Sequence, residues 1–141
     1  MTPEARLKLK NLLVKHESYK QFPYVDTSGH LTIGIGRNLD NRGISLPEAY
    51  YLVDEDITYF SGKLQQYLKF FHKIDENRQV VLINMCFNLG VQGFLNFTHM
   101  ILALEALDFE RAADEILSSK WAEQVGERAQ QLAQIMRTGV L

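Results

Sequence analysis

Apolar side chains recur at helical spacing along most of this chain, beginning near its N-terminal end. Thr2-Pro3-Glu4 combines a capping residue, a proline at the first helical position and an acid in the first turn, which predicts a helix to about His16. The apolar side of this helix is predicted to contain Ala5, Leu9, Leu12, Leu13 and His16. Glu17 is then expected at the end of the helix, near its core side.

The helical spacing stops between Tyr19 and Ile35, where aromatic and β-branched residues become frequent. Thr27-Ser28-Gly29 interrupts this stretch, so we predict two short strands joined by a turn. No other part of the chain indicates strands. The residues from Gly36 to Gly43 are predicted to form a loop, because Asn, Asp, Arg and Gly dominate them.

Helical patterns occupy the rest of the chain. Ser45-Leu46-Pro47-Glu48 has the form of a capping box, and the helix that it opens has a predicted apolar face of Ala49, Leu52, Val53, Ile57 and Phe60. Asp75 is the predicted N-cap of a central helix that ends before Gly90 and is apolar nearly all round. Further helices are predicted over about Phe97–Leu107, after Asp108, and around Ala129–Met136, closed by Thr138-Gly139.

The predicted fold class is α+β, a single and mostly helical domain over residues 1–141 with one small hairpin. We expect a small lobe over about residues 14–60 and a larger helical lobe over about residues 66–141, which also takes in the N-terminal helix. A ligand is expected in the cleft between two such lobes.

Composition limits the classes of function. A chain of 141 residues and 16.2 kDa suits one folded domain. Cys86 is the only cysteine and lies in an apolar run, which predicts a buried thiol of no special reactivity. Four scattered histidines form no metal-ligand spacing, so neither a metal nor another cofactor is expected.

The charge distribution and the N-terminal sequence exclude further classes of function. Residues 1–45 hold seven basic and four acidic residues, and residues 46–141 hold eight and thirteen. This balance argues against nucleic-acid binding, which relies on a concentrated basic face. Lysines and an arginine interrupt the N-terminal apolar residues, so we expect neither a signal peptide nor a membrane anchor, and synthesis in a cytoplasm.

Two features near the predicted hairpin are candidates for chemistry. Glu17 and Asp26 lie at a helix end and a strand end, where a proton-holding carboxyl and an ionised one can divide the work of glycoside hydrolysis. Taken alone, two carboxylates among seventeen are better interpreted as an ordinary surface pair. The run TIGIG, residues 32–36, has Leu39 where a dinucleotide fingerprint requires its third glycine, and no P-loop lysine follows. We therefore predict that its glycines let the strand pass close to another backbone.

The spacing of Glu17, Tyr24, Asp26, Gly29 and the TIGIG run resembles the catalytic region of the phage-type lysozymes, glycoside hydrolase family 24. The likeness covers nearly the whole chain. It continues in family order through Leu82-Ile83-Asn84-Met85 with Phe87 and Gly90, Gly93-Phe94 to Phe97-Thr98, Ala112-Ala113, Ser119-Lys120-Trp121, Arg128-Ala129 and Arg137-Thr138-Gly139.

The resemblance implies an endolysin that hydrolyses the β-1,4 bond between N-acetylmuramic acid and N-acetylglucosamine in peptidoglycan. It assigns Glu17 as general acid, Asp26 as the carboxylate that activates water or supports the cationic sugar, and Thr32 as the residue that helps to hold that water. A water held in this way would attack the face opposite the leaving sugar, which is an inverting arrangement. Without the resemblance, a β-favouring strand residue is the preferred interpretation of Thr32.

The resemblance also suggests supporting residues. Arg128 matches an arginine that approaches the catalytic glutamate, and alone it is equally a solvated helix arginine. Phe87 and Asn88 match the cleft wall, where Asn88 could bond an acetamido group or only cap its helix. Asn38 and Met100 match further substrate-binding or supporting positions.

Two departures from the family pattern concern the small lobe. The chain between the Gly36 loop and the Ser45 helix is much shorter than in the T-even phage members, which is expected to widen the cleft or change which sugars are held. Arg37 replaces a histidine of those members, so the ion pair that the histidine makes cannot be assumed.

Two other functions remain open at this point. A lytic transglycosylase would cut the same bond without water and would need neither Asp26 nor Thr32, and a non-catalytic peptidoglycan-binding protein could keep the fold. As an endolysin, the protein is expected to be a monomer in the host cytoplasm. It would need a holin-type membrane-permeabilising partner to reach the wall, without inserting into the membrane itself.

Overall fold

The computed structural model describes all 141 residues. The elements are three strands, a short 3-10 helix over Phe71–Lys73 and seven α-helices: α1 Pro3–Glu17, β1 Lys20–Val25, β2 Leu31–Gly34, β3 Arg37–Asn38, α2 Leu46–Tyr67, α3 Glu76–Leu95, α4 Thr98–Glu105, α5 Phe109–Leu117, α6 Lys120–Val125 and α7 Glu127–Thr138. This content confirms the predicted α+β class. The chain divides into two compact units, residues 1–51 and 52–141. The predicted lobe boundaries and the cleft stay predictions.

Local signals define the first unit, residues 1–51. The Thr2 side chain accepts a hydrogen bond from the Ala5 backbone N–H at 3.1 Å, which confirms the predicted N-cap of α1. The three strands form one antiparallel sheet in the order β1-β2-β3. β3 lies in the stretch that we predicted as loop, because a strand of two residues is defined by its pairing with β2 and leaves no local pattern.

The predicted apolar faces of α1 and of the first half of α2 are not buried. Leu9, Leu12 and Leu13 are between 42% and 51% exposed, and α1 contains no buried residue. Leu52 and Ile57 of α2 are also exposed. The apolar spacing therefore predicted the helices but not which of their apolar side chains are buried, since Phe60 of α2 does pack against the core. Apolar spacing predicts a helix reliably, but apolar side chains also make up much of the surface of folded proteins.

Hydrophobic burial is concentrated in the second unit, residues 52–141. Its buried side chains are Leu64, Leu68, Phe71, Ile74, Val81, Leu82, Met85, Cys86, Phe94, Met100, Ala103, Leu104, Ala112, Ala113, Ile116, Trp121, Ala129, Leu132, Ala133 and Met136. The buried thiol of Cys86 agrees with its prediction, and burial raises its pKa.

The central helix of this unit is α3. The Asp75 side chain accepts from the Arg78 N–H at 3.2 Å, which confirms the predicted N-cap. Gly90, at φ 75° and ψ 164°, breaks the helix where we predicted its end, but helical structure resumes and runs to Leu95. No single helix is long and apolar enough to cross a membrane, and by length and composition alone α3 and α4 would do so only as a pair bent by 100°.

Candidate active site

The first unit contains all three predicted catalytic residues. Glu17 is the last residue of α1 and is exposed, contrary to its expected position near a core. The chain leaves the helix at once, because Ser18 adopts a positive φ of 64° while its N–H still bonds to the Val14 carbonyl at 3.0 Å. This backbone bond therefore fixes the position of the Glu17 backbone at the end of α1.

Gly36 lies directly against the Glu17 carboxylate. A Cβ at Gly36 would come within 2.9 Å of Glu17 Oε2 and within 3.1 Å of its Cδ and Cγ. The glycine also has a φ of 68°, which side-chain-bearing residues rarely adopt. We predicted that the TIGIG glycines allow close approach to another backbone. The approach at Gly36 is instead to a carboxylate, and Gly34 has no atom within 4 Å of its virtual Cβ.

Asp26 sits in the turn between β1 and β2 and is anchored on one side. Its Oδ1 accepts from the N–H groups of Ser28 at 2.9 Å and His30 at 2.8 Å. These bonds favour the ionised form, and the His30 N–H is the largest cause of a pKa below the ordinary value for Asp26. Oδ2 has no comparably close donor, since the nearest ion-pair partner, His30 Nδ1, is 3.9 Å away.

Thr32 is the buried polar residue of the hairpin, at 3% exposed. It lies on the central strand, opposite Tyr24 of β1 and Asn38 of β3. Its Oγ1 donates to the His30 carbonyl at 3.0 Å. Since a hydroxyl has one hydrogen, only the acceptor lone pairs of Thr32 remain for another partner.

The backbone of His30 joins these two groups. Its carbonyl accepts from both the Asp26 N–H, at 2.9 Å, and Thr32 Oγ1, while its own N–H donates to Asp26 Oδ1. One peptide segment therefore fixes the orientation of the carboxylate and of the hydroxyl. His30 was not predicted from the sequence, because a residue that acts through its backbone has no side-chain signature.

Asn38 has a structural task in the same unit. Its Oδ1 accepts from the Asn41 N–H at 3.0 Å, and its carbonyl accepts from the Arg42 N–H at 2.9 Å. The Asn38 side chain thus caps the turn that follows β3. Its role toward substrate stays a prediction.

The second unit contains the other predicted residues. Arg128 donates from Nε and Nη2 to Asn84 Oδ1, at 3.0 and 2.8 Å, so it is held against α3 and is not a freely solvated helix arginine. Phe87 is 44% exposed and packs edge-on against Phe60, with ring centroids 5.9 Å apart. Phe87 and Arg128 line one groove of about 430 Å³. The expected approach of Arg128 to Glu17 stays a prediction.

Asn88 and Met100 both have contacts within the second unit that limit direct binding of substrate. Asn88 Oδ1 accepts from Trp121 Nε1 at 2.8 Å, so its carbonyl already has a partner that neither of our two interpretations included. Met100 is 1% exposed and belongs to the core, which fits a supporting residue better than one in direct contact with substrate. Their assignment to substrate binding stays a prediction.

The frame is α+β, and on it Glu17 ends a helix while the backbone of His30 bonds to both Asp26 and Thr32. The catalytic roles of these three residues stay predictions. The phage lysozyme family model matches residues 14–137, and the chain therefore belongs to the phage lysozyme family. This confirms the predicted enzyme class, a glycoside hydrolase of the lysozyme type.

The chain is also similar to several known proteins. The chain is 27% identical over 163 residues to the pre-baseplate central spike protein of Enterobacteria phage T4, a match that covers 96% of this chain and 28% of the spike protein. It is 25% identical over 162 residues to each of two Dictyostelium discoideum proteins, "Probable T4-type lysozyme 1" and "Probable T4-type lysozyme 2". Those two matches cover 94% of this chain and 95% of each relative.

Proposed function

We propose that this protein hydrolyses the β-1,4 bond between N-acetylmuramic acid and N-acetylglucosamine in bacterial peptidoglycan, with inversion at the anomeric carbon. The observation that carries the proposal is the joint fixation of Asp26 and Thr32 by the His30 backbone. Family membership supports the substrate class.

The hydrogen bonds define how a water would be held. Thr32 Oγ1 donates its hydrogen to the His30 carbonyl, and Asp26 Oδ2 accepts no hydrogen bond, with His30 Nδ1 3.9 Å away. A water between them donates one hydrogen to each oxygen and keeps its lone pairs for attack. Both groups thus act as acceptors, which raises the nucleophilicity of the water.

The reaction then balances in one displacement. Glu17 donates its proton to the glycosidic oxygen as the bond from that oxygen to the anomeric carbon breaks. The water oxygen bonds to the anomeric carbon from the opposite face, and Asp26 accepts the proton that the water loses. Such a geometry requires carboxyl groups about 6.5 to 9.5 Å apart with the water between them.

The observations favour hydrolysis over the two alternatives. A lytic transglycosylase uses no water, so it has no need of a hydroxyl and a carboxylate aligned by one peptide. A non-catalytic wall-binding protein has no need of a glycine that leaves room for the Glu17 carboxylate.

Digestion of purified peptidoglycan in ¹⁸O-labelled water tests the reaction. We expect one label in each new reducing end, and proton NMR of the first product to show the α-anomer. Anhydro products lighter by one water would establish the transglycosylase, and binding without new reducing ends would establish the non-catalytic protein. An initial β-anomer would mean that Asp26 acts as a nucleophile in a retaining reaction.

In the cell, we propose a role in host lysis. The protein would be synthesised in the host cytoplasm and act as a monomer on the wall after a holin-type partner permeabilises the membrane. Expression alone should leave cells intact, whereas expression with a membrane-permeabilising protein should lyse them. Lysis without such a partner would contradict this order of events.

A further inference from the structure

The loop between β3 and α2 is held by one arginine. Arg37, on β3, donates through Nη1 to Glu48 Oε1 at 3.0 Å and through Nη2 to Glu48 Oε2. Nη1 also donates to the Gly43 carbonyl at 2.9 Å. A bidentate guanidinium–carboxylate pair fixes direction as well as distance. Arg37 therefore ties β3 to both the following loop and the start of α2.

Glu48 is itself held in place. Its Oε1 accepts from the Ser45 N–H at 2.9 Å, and its own N–H donates to Ser45 Oγ at 3.3 Å, which confirms the predicted capping box. The carboxylate that receives Arg37 is thus part of a helix cap. An anchor of this kind loses little further side-chain entropy when it pairs.

Arg37 occupies a central position among the catalytic groups. It directly follows Gly36, against which the Glu17 carboxylate lies, and directly precedes Asn38, which pairs with Thr32. Across the sheet it pairs with Ile33, the residue after Thr32. A displacement of β3 would therefore move the Gly36 surface and the Thr32 strand together.

The same loop also holds the start of β2. Leu31 donates its N–H to Asp40 Oδ2 at 2.8 Å and accepts at its carbonyl from the Leu39 N–H at 2.8 Å. Both backbone groups of the residue before Thr32 thus depend on the loop that Arg37 closes. The ion pair is remote from the reacting atoms but connected to them by ordered backbone.

We propose that the Arg37–Glu48 pair is a positioning device that holds β3 and its loop against β2, so that Glu17 and Thr32 keep their catalytic geometry during hydrolysis. The inference rests on the proposed hydrolytic function. Arg37 and Glu48 act through the backbone and do not touch the substrate.

The kinetic test compares Arg37→Gln and Glu48→Gln with the wild type on soluble, uncross-linked peptidoglycan oligomers, well below the unfolding midpoint. We expect kcat to fall about tenfold, because small displacements of catalytic groups have large kinetic effects, while KM stays within about twofold. Arg37→Lys keeps one charged bond and should retain more of kcat. The double variant should lose no more than either single variant, because both act through one pair.

Arg137→Gln is a matched control. The Arg137 side chain is 29% exposed, the same as that of Arg37, and it bonds two carboxylates, Glu110 and Asp114, where Arg37 bonds one. Loss of this pair should lower thermal stability to a similar degree without changing kcat. If Arg37→Gln likewise loses only stability, or raises KM at unchanged kcat, the positioning role is wrong.

Amide hydrogen exchange provides a second readout that does not depend on turnover. In Arg37→Gln the Leu39 N–H should exchange about tenfold faster than in the wild type, whereas the Ser28 N–H in the Asp26 turn should be unchanged. Equal exchange at Leu39 would overturn the inference even if kcat fell. If the wild type releases no more reducing ends than Glu17→Gln, the proposed function fails, and this inference fails with it.

Discussion

The two compact units are stabilised in different ways. In residues 1–51 the buried residue is Thr32, and polar bonds hold the hairpin and its loop: two backbone donors on Asp26, the Thr32 hydroxyl on His30, and Arg37 on Glu48. In residues 52–141 twenty apolar side chains are buried together. Changes in the first unit should therefore affect catalysis more than stability, and changes in the core of the second should do the reverse.

The largest expected effect on activity comes from the carboxylates. Glu17→Gln removes the proposed proton donor, and Asp26→Asn removes the charge that is proposed to accept a proton from water. Each should lower kcat by about 10³-fold, the scale of general acid–base catalysis. Turnover of soluble peptidoglycan oligomers, measured by reducing-end release, checks this.

Thermal unfolding of each variant is the control that separates a loss of catalysis from a loss of folded protein. Glu17 is exposed and ends a helix, so Glu17→Gln should leave the midpoint of thermal unfolding nearly unchanged. Full activity of either variant would contradict the assigned roles. A loss of activity that only follows a loss of folded protein would contradict the contrast between the two units.

Gly36→Ala should have the next largest effect. The new methyl group would lie 2.9 Å from Glu17 Oε2, so the carboxylate must move. We expect kcat to fall by about 10- to 100-fold, the scale associated with misplaced catalytic groups. Steady-state kinetics at fixed substrate composition measures this fall.

Gly34→Ala is the control for backbone strain. Gly34 has the same φ of 68° as Gly36, but its virtual Cβ has no neighbour within 4 Å. Both alanine variants should lose stability by about 1 kcal/mol from the unfavourable φ. Only Gly36→Ala should lose most of its kcat. Equal kinetic losses would mean that backbone strain, and not the contact with Glu17, explains the requirement for glycine at position 36.

A substitution in the core of the second unit should lower stability more than catalysis. Leu104 on α4 is 0% exposed, and Leu104→Ala removes buried apolar volume from the second unit. The free energy of unfolding should fall by about 2 to 5 kcal/mol. Urea unfolding followed by circular dichroism measures this, and kcat per folded molecule should stay within about twofold of wild type. A tenfold lower kcat at full folding would show that the core also sets the catalytic geometry.

Features of the fold that depend on neighbouring residues were predicted from the sequence, whereas features that depend on distant residues were not. The N-caps at Thr2 and Asp75 and the capping box at Ser45 were predicted, because each depends on residues within one helical turn. β3 was missed, since Arg37–Asn38 becomes a strand only by pairing with β2. The resumption of α3 after Gly90 was also missed, because a glycine indicates a break in a helix but not whether the helix resumes beyond it.

The same reasoning applies to the candidate site. Spacing and family resemblance predicted Glu17, Asp26 and Thr32 as catalytic residues, and these roles stay predictions. Spacing and resemblance could not identify Gly36 as the surface under Glu17, because that contact joins residues nineteen positions apart and leaves no local pattern. The pairing of Arg37 with Glu48, eleven positions away, was hidden for the same reason.

The smallest expected effect is a dependence of stability on pH that originates in the first unit. Hydrogen bonds from Arg37, and then from Ser45, lower the pKa of Glu48 from 4.5 to about 2. Because the folded pKa is the lower one, the stabilising contribution is complete above pH 4.5 and is lost as the pH falls from 4.5 towards 2. The pair is partly exposed, so solvent weakens the effect.

Urea unfolding of the wild type and Glu48→Gln at pH 7 and pH 2.5 isolates this contribution. The difference in unfolding free energy between the two proteins should be largest at pH 7 and should shrink at pH 2.5, where Glu48 becomes partly protonated and its bonds to Arg37 weaken. Asp26 is common to both proteins, so the fall caused by its own lowered pKa cancels in the difference. An equal difference at both pH values would mean that the carboxylate charge contributes nothing to holding the loop, and that Glu48 acts only as the cap of α2.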